Sequence, residues 1–209
     1  MSYTPIVIGS LAWGTPVNNA FTSQDARITE LENQGPLSAA MLTFNALNML
    51  PEFATTSAAA LVSGTVYMMR IDISAPLTFT NAHTATVAAA TLTAGQNFAG
   101  LYNSAGTQVA VTADQSAAWA AGGEKNMAFT VPYAAAAGTY YVAYLSNGAS
   151  PIAPVRSVNS TFVNTFINHG LTASTARWST GPAAQTTLPA SITMASRTLI
   201  GTAYFAGLS

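Results

Sequence analysis

From Leu61 onward the chain is a succession of short runs in which residues alternate between two faces, separated by turn signals. Val66, Met68 and Arg70 alternate with Tyr67, Met69, Ile71 and Ile73, the period-two spacing of a strand. Further runs cover Leu77 to Thr80, Thr84 to Leu92, Phe98 to Tyr102, Gln108 to Thr112 and Met127 to Val131. Thr139 to Leu145, Ser191 to Met194 and Ala203 to Leu208 complete the set. Thr93-Ala94-Gly95, Asn103-Ser104-Ala105-Gly106, Gly122-Gly123, Ala137-Gly138 and Ser146-Asn147-Gly148 punctuate them. Short strands recurring at roughly 8 to 12 residues specify a mainly β fold, an antiparallel β-sandwich or jelly roll over residues 61–209.

The N-terminal part has another period. In Gly14 to Glu32, the residues Val17, Phe21, Gln24, Ile28 and Leu31 follow spacings of four and three, the a/d seam of a short coiled coil. Asp25, Arg27, Glu30 and Glu32 occupy the other faces. Thr15 suits an N-cap, Pro16 a first-turn position, and Gly35-Pro36 ends the helix. An isolated helix of about 15 to 20 residues is marginal in water. The following stretch offers no matching helix, so the apolar seam is expected to pair with other copies of itself.

The organisation expected is an N-terminal arm over 1–14, a helix over 15–34, a connecting segment over 35–60 and the β-domain beyond. Ile6, Val7, Ile8, Leu11 and Trp13 would leave an apolar strip on a free arm, so the arm is expected to dock on a neighbouring protein. The connecting segment carries mixed signals. Leu37, Met41, Phe44 and Leu47 suit one helix face, whereas Pro51, Thr55, Thr56 and Ser57 suit extended chain.

Charge narrows the functional classes. Charged residues make up 6% of the chain, against about 25% in an ordinary soluble domain. Thr, Ser, Asn, Gln and Ala take their place, and with a net charge of −1 the chain lacks the basic footprint of a nucleic-acid binder. No window reads as a membrane span, and the first residues lack the basic leader and apolar run of a secretory signal. The absence of cysteine removes disulfides, thiolate metal sites and a cysteine nucleophile.

Catalytic spacing is equally sparse. Glu52, Asp72, Asp114 and Glu124 are scattered through the β part, and the two histidines, His83 and His169, show no metal-ligand spacing. Neither a G-x-S-x-G elbow nor a G-x-G-x-x-G loop between strand and helix occurs. The expectation is a protein that is not an enzyme and uses no metal or cofactor. Aromatic residues among neutral polar ones instead suit sugar binding by stacking and hydrogen bonds. The loops Asp114 to Lys125 and Ser146 to Arg156 are the expected contact surface, with Trp119 and Asn147 touching a glycan. Tyr140 and Tyr141 point to opposite faces of one strand, so both are core only if both sheet faces are covered; a trimer interface is the expected cover for the second.

Several phrases carry a resemblance. Trp13-Gly14-Thr15-Pro16-Val17-Asn18, Asp25-Ala26-Arg27-Ile28-Thr29 and Leu31-Glu32 resemble the N-terminal segment of tail-fibre-like minor tail proteins of actinobacterial phages. Leu92 to Tyr102, Pro132-Tyr133, Gly138-Thr139-Tyr140-Tyr141, Asn168-His169-Gly170-Leu171-Thr172 and Thr187-Leu188-Pro189-Ala190-Ser191 are similar to their C-terminal β-domains. The resemblance implies a homotrimeric virion protein, made in the host cytoplasm and located at the tail tip or on the capsid surface. It also implies other virion proteins as partners of the arm and a cell-wall glycan as partner of the outer end. No catalytic residue is carried over.

Overall fold

The strand pattern begins earlier than residue 61. In the computed structural model, which describes residues 44–50, 53–159 and 167–209, β1 (Ala46–Leu47) and β2 (Thr55–Ala58) precede β3 (Val66–Ile73). The stretch read as a connecting segment therefore contributes two strands to the β-domain. β4 (Leu77–Thr86), β5 (Thr91–Leu92), β6 (Phe98–Asn103) and β7 (Gln108–Val111) follow. A short helix α1 (Ser116–Trp119) leads into β8 (Gly123–Ala135) and β9 (Gly138–Leu145). β10 (Gly148–Ser150), β11 (Val155–Asn159) and β12 (Trp178–Thr180) come next. A 3-10 turn at Met194–Ser196, β13 (Thr198–Leu199), β14 (Thr202–Tyr204) and β15 (Gly207–Leu208) end the chain. The seam residues Val17, Phe21, Gln24, Ile28 and Leu31 and the arm residues Ile6, Ile8, Leu11 and Trp13 lie outside the described residues.

Two larger antiparallel sheets share one core. One has the order β13-β12-β3-β9-β6-β7, the other β1-β15-β4-β8. From the first, Tyr67, Met69, Ile71, Tyr140, Val142, Tyr144 and Leu101 point inward, and Phe79, Ala82, Met127, Phe129 and Leu208 meet them from the second. This layering is that of a β-sandwich. The sheets meet at one corner, where Thr112 bridges Phe129 and the Thr130 hydroxyl donates to Val111 O at 2.9 Å. Smaller sheets, β14-β11-β2 and β10-β5, close the ends.

The outer face of the six-stranded sheet is also buried. Residues Tyr140 to Leu145 of β9 are all buried, and Val66, Met68, Tyr102, Tyr141, Ala143 and Leu145 form a second cluster with Leu188, Ile192 and Met194. The chain supplies this cover itself, through the strap 182–197, where another copy had been expected to do so. The strap is tied at several points: Val66 N donates to Pro182 O, Gln108 N to Ala190 O, and the Tyr102 hydroxyl to Pro189 O at 2.6 Å. Ile192 N donates to Gly106 O, and a Cβ on Gly106, whose φ is 84°, would collide with Ile192 O.

Several expected elements differ, among them Met127 to Val131, which is only the middle of β8 (Gly123–Ala135). Leu77 to Thr80 and the start of Thr84 to Leu92 are one strand, β4, which continues across a register shift between Phe79 and Asn81 and ends at Thr86, while Thr91–Leu92 form β5 in another sheet. Ser191 to Met194 is not a strand: Ser191 makes one bridge, to Thr107, before the 3-10 turn, because the strap crosses the sheet without joining its ladder. Ala203 to Leu208 splits into β14 and β15, which belong to different sheets. Its residues are buried throughout because the chain is passing through the core from one sheet to the other.

Candidate functional site

The loops expected to meet a glycan converge on Asn97, which follows the turn at Gly95 and has no exposed surface. Its Nδ2 donates to Thr93 O at 2.7 Å and to Ser116 Oγ at 2.9 Å. Its Oδ1 accepts from Ser146 Oγ at 3.1 Å and from Asn147 N at 2.8 Å. Both donors and both lone pairs of the amide are thereby used. The same turn of chain is anchored by Asn97 N donating to Asp114 Oδ1 at 3.0 Å. Burial raises the Asp114 carboxyl, but hydrogen bonds from Gly95, Ser116 and Asn97 outweigh it and hold the group below its ordinary value.

Trp119 and Asn147 are structural parts of this end. Trp119, the last residue of α1, has no exposed surface; its Nε1 donates to Met127 Sδ at 3.1 Å and its ring meets Tyr144 edge-on at 6.3 Å. No face of the indole is open for a sugar to stack on. Asn147 is 8% exposed, with Nδ2 donating to Gln96 O at 2.9 Å and Gln185 O at 3.0 Å. Its Oδ1 accepts from Ser63 Oγ at 3.4 Å. The two loops are short on free chain because α1, β10 and the first turns of β8 and β11 occupy them.

A Ser-His contact exists elsewhere. His83 Nε2 lies 2.7 Å from Ser209 Oγ, the reach of a nucleophile-base pair. Yet no hydrogen bond orients the other ring nitrogen among the described residues, and Phe44 packs edge-on against the imidazole at 5.0 Å. Burial lowers the His83 pKa, opposed by the charge of Glu124. The pair fastens β15 to β4 and is not arranged for acyl transfer. His169 is exposed, and no group of three His, Asp or Glu side chains converges among the described residues.

The most distinctive polar arrangement is at the rim where β12 begins. There, a cavity of about 160 Å³ is lined by Leu47, Asn48, Arg70, Asp72, Arg177 and Trp178. Arg70 stands beside Arg177 because β12 pairs with β3 in the register Trp178 to Met69. Asn168 sets that register from within: buried, it donates to Trp178 O and Ile200 O and accepts from the backbone of Arg177 at 2.8 Å and Trp178 at 3.3 Å. Arg70 Nε donates to Asp72 Oδ1 at 2.9 Å and Nη1 to Thr175 O at 3.2 Å, while Thr139 Oγ1 donates to the same Asp72 oxygen at 2.6 Å. The exposed Arg177 guanidinium makes no hydrogen bond among the described residues.

No family model matches the sequence, and no curated protein matches it. The chemistry of the site is therefore read from its own residues.

A third arginine, Arg197, lies on the same sheet face, with its guanidinium carbon 4.2 Å from the centre of the Tyr141 ring. It donates from Nη1 to Ser179 Oγ at 3.0 Å and from Nε to Met194 O at 3.3 Å. Burial lowers its pKa, and repulsion from Arg70 adds to that. The chain holds six lysines and arginines in total, so this face concentrates half of them. Sequence reasoning missed the cavity: Arg70 reads as one residue of a strand and Arg177 as a loop residue, and nothing in their spacing brings them together. A second groove, lined by Pro76, Leu77, Thr78 and Ala134 to Ala136, carries no charged group.

Proposed function

We propose that the protein is a structural component of a phage virion, a short homotrimeric tail fibre or receptor-binding spike that contacts the host surface. The observation that carries this reading is the resemblance of Trp13-Gly14-Thr15-Pro16-Val17-Asn18, and of several phrases in the β-domain, to tail-fibre-like minor tail proteins. The seam Val17, Phe21, Gln24, Ile28 and Leu31 is the trimerising element, and Ile6, Ile8, Leu11 and Trp13 anchor the chain to other virion proteins. An antiparallel β-domain with a surface poor in charge suits the outward end of such a fibre. The protein acts by binding, without enzymatic activity.

A capsid fibre or decoration knob with a purely structural role is the second reading. Burial of Trp119 and Asn147 favours it, because both residues expected to take a glycan are occupied inside the fold. Antibody labelling of purified virions separates the two: label at the tail tip supports the fibre, label over the capsid supports the knob, and unlabelled particles refute both. Deleting Ser2 to Trp13 is expected to abolish incorporation into particles while leaving the β-domain folded. Replacing Ile28 and Leu31 by Asp is expected to reduce the trimer mass in light scattering to that of a monomer; an unchanged mass would assign assembly to the β-domain.

A further inference from the structure

We infer that the cavity between Arg70 and Arg177 is a binding site for a single anionic sugar unit, its carboxylate or phosphate held by the two guanidiniums and its hydroxyls by Asp72. Two arginines side by side on neighbouring strands, with a third on the same face, set three positive charges against the single carboxylate of Asp72, which leaves attraction for a further anion. Asp72 is the one carboxylate lining the cavity among the described residues, and one of its oxygens already serves Arg70 and Thr139. Among the described residues, the groups here without a hydrogen-bond partner are the Arg177 guanidinium, Arg70 Nη2 and Asp72 Oδ2. A guanidinium pair is suited to a planar carboxylate or a phosphate.

Asp72 discriminates between a bare anion and a sugar acid. Its remaining oxygen repels an inorganic anion but accepts hydrogen bonds from hydroxyls attached to one. At about 160 Å³ the cavity is well below the roughly 300 to 1,000 Å³ that holds a drug-sized ligand, so it takes one ring of a chain and leaves the rest outside. One such contact is weak, and several copies in one particle would supply the avidity.

This inference names the ligand class of the surface-binding reading and rests on that reading only for its biological use. Titration of the purified full chain tests the site, whereas particle labelling tests the virion role, so either can fail without the other. Glucuronate, glucose 1-phosphate, glucose and inorganic phosphate are compared by calorimetry or ligand-observed NMR. One of the two sugar acids is expected to bind at least about tenfold more tightly than both glucose and inorganic phosphate. Which sugar acid wins tells whether the receptor is a uronate or a phosphate-bearing glycan. The preferred ligand should weaken as ionic strength rises from about 0.01 M to about 0.15 M. Arg177→Ala should lower its affinity about tenfold with no change in melting temperature, because that guanidinium makes no hydrogen bond among the described residues, and Arg177→Lys, which keeps the charge without the planar fork, should restore only part of it. Equal binding of glucose, equal binding of inorganic phosphate, no binding by either sugar acid, or an Arg177→Ala protein that binds normally would each overturn the proposal.

Discussion

Tyr140 and Tyr141 are neighbours in β9 yet are buried in two different apolar clusters, one between the sheets and the other beneath the strap 182–197. Both sheet faces are thus filled from within the chain, and the second cluster becomes a part of the fold whose energetics can be tested separately.

Gly100 and Leu188 offer that test. A Cβ on Gly100 would approach Leu188 Cδ1 to 2.6 Å, so the strap leucine occupies the place a side chain would take. Leu188→Ala is expected to cost about 2–5 kcal/mol and Gly100→Ala about 1–3 kcal/mol. The double variant should be less destabilised than the sum, since each change relieves the other. Additive values in chemical denaturation would mean that Leu188 does not rest on Gly100.

Trp119→Ala should lower stability by about 3–5 kcal/mol, the range for removing a large buried aromatic. Trp119→Phe should lose less, because it keeps much of the packing against Tyr144 and forfeits the donation to Met127. Thermal melting of the two variants checks the order. An Ala variant that melts like the parent would place Trp119 at the surface.

Asn97→Ala leaves Thr93 O, Ser116 Oγ, Ser146 Oγ and Asn147 N without their shared partner. Thr93 O, Ser116 Oγ and Ser146 Oγ keep other partners, but Asn147 N does not, and a buried donor left unmet costs about 1–3 kcal/mol, so a loss of at least that size is expected. Asn97→Asp keeps the acceptor for Asn147 N but sets a buried carboxylate oxygen against Thr93 O, with Asp114 close by, so its loss should be at least as large as that of the Ala variant at neutral pH. Hydrogen exchange should show the Asn147 amide opening faster in both.

Alkaline pH should weaken the fold. Burial pushes the phenols of Tyr102 and Tyr204 up to about 12, and that of Tyr144 upward as well. With ordinary tyrosine near 10, the unfolded chain releases these protons first as pH rises, so the contribution is whole below about pH 10 and is lost from there to about pH 12. Tyr102→Phe should flatten the decline by up to about 1.4 kcal/mol per pH unit in that window. His83 acts at the other end. Its pKa lies below 6.5, so stability is full above that value and falls as pH drops below it, when the unfolded chain takes up the proton first. Denaturation midpoints across pH measure both slopes.

The sequence by itself determined the class of fold, because period-two alternation and glycine turns are local properties. β3 matched its run residue for residue, β6, β7 and β9 began or ended within a residue of theirs, and turns stand at Gly95 and Gly106. Tertiary structure decided what depends on partners distant in the chain. The bulge after Phe79 joined one apparent strand to the start of the next, and the passage through Phe205 and Ala206 divided another between two sheets. Trp119 has the composition of an exposed binding residue, but α1 is a single turn whose last side chain falls between Met127 and Tyr144. Arg70 and Arg177 meet because β12 pairs with β3, and Asn168 holds that pairing with bonds no sequence spacing records. Strand period follows from alternating backbone geometry within one segment, whereas burial and charge proximity follow from which segments pair, and pairing is chosen by the packing of the whole domain.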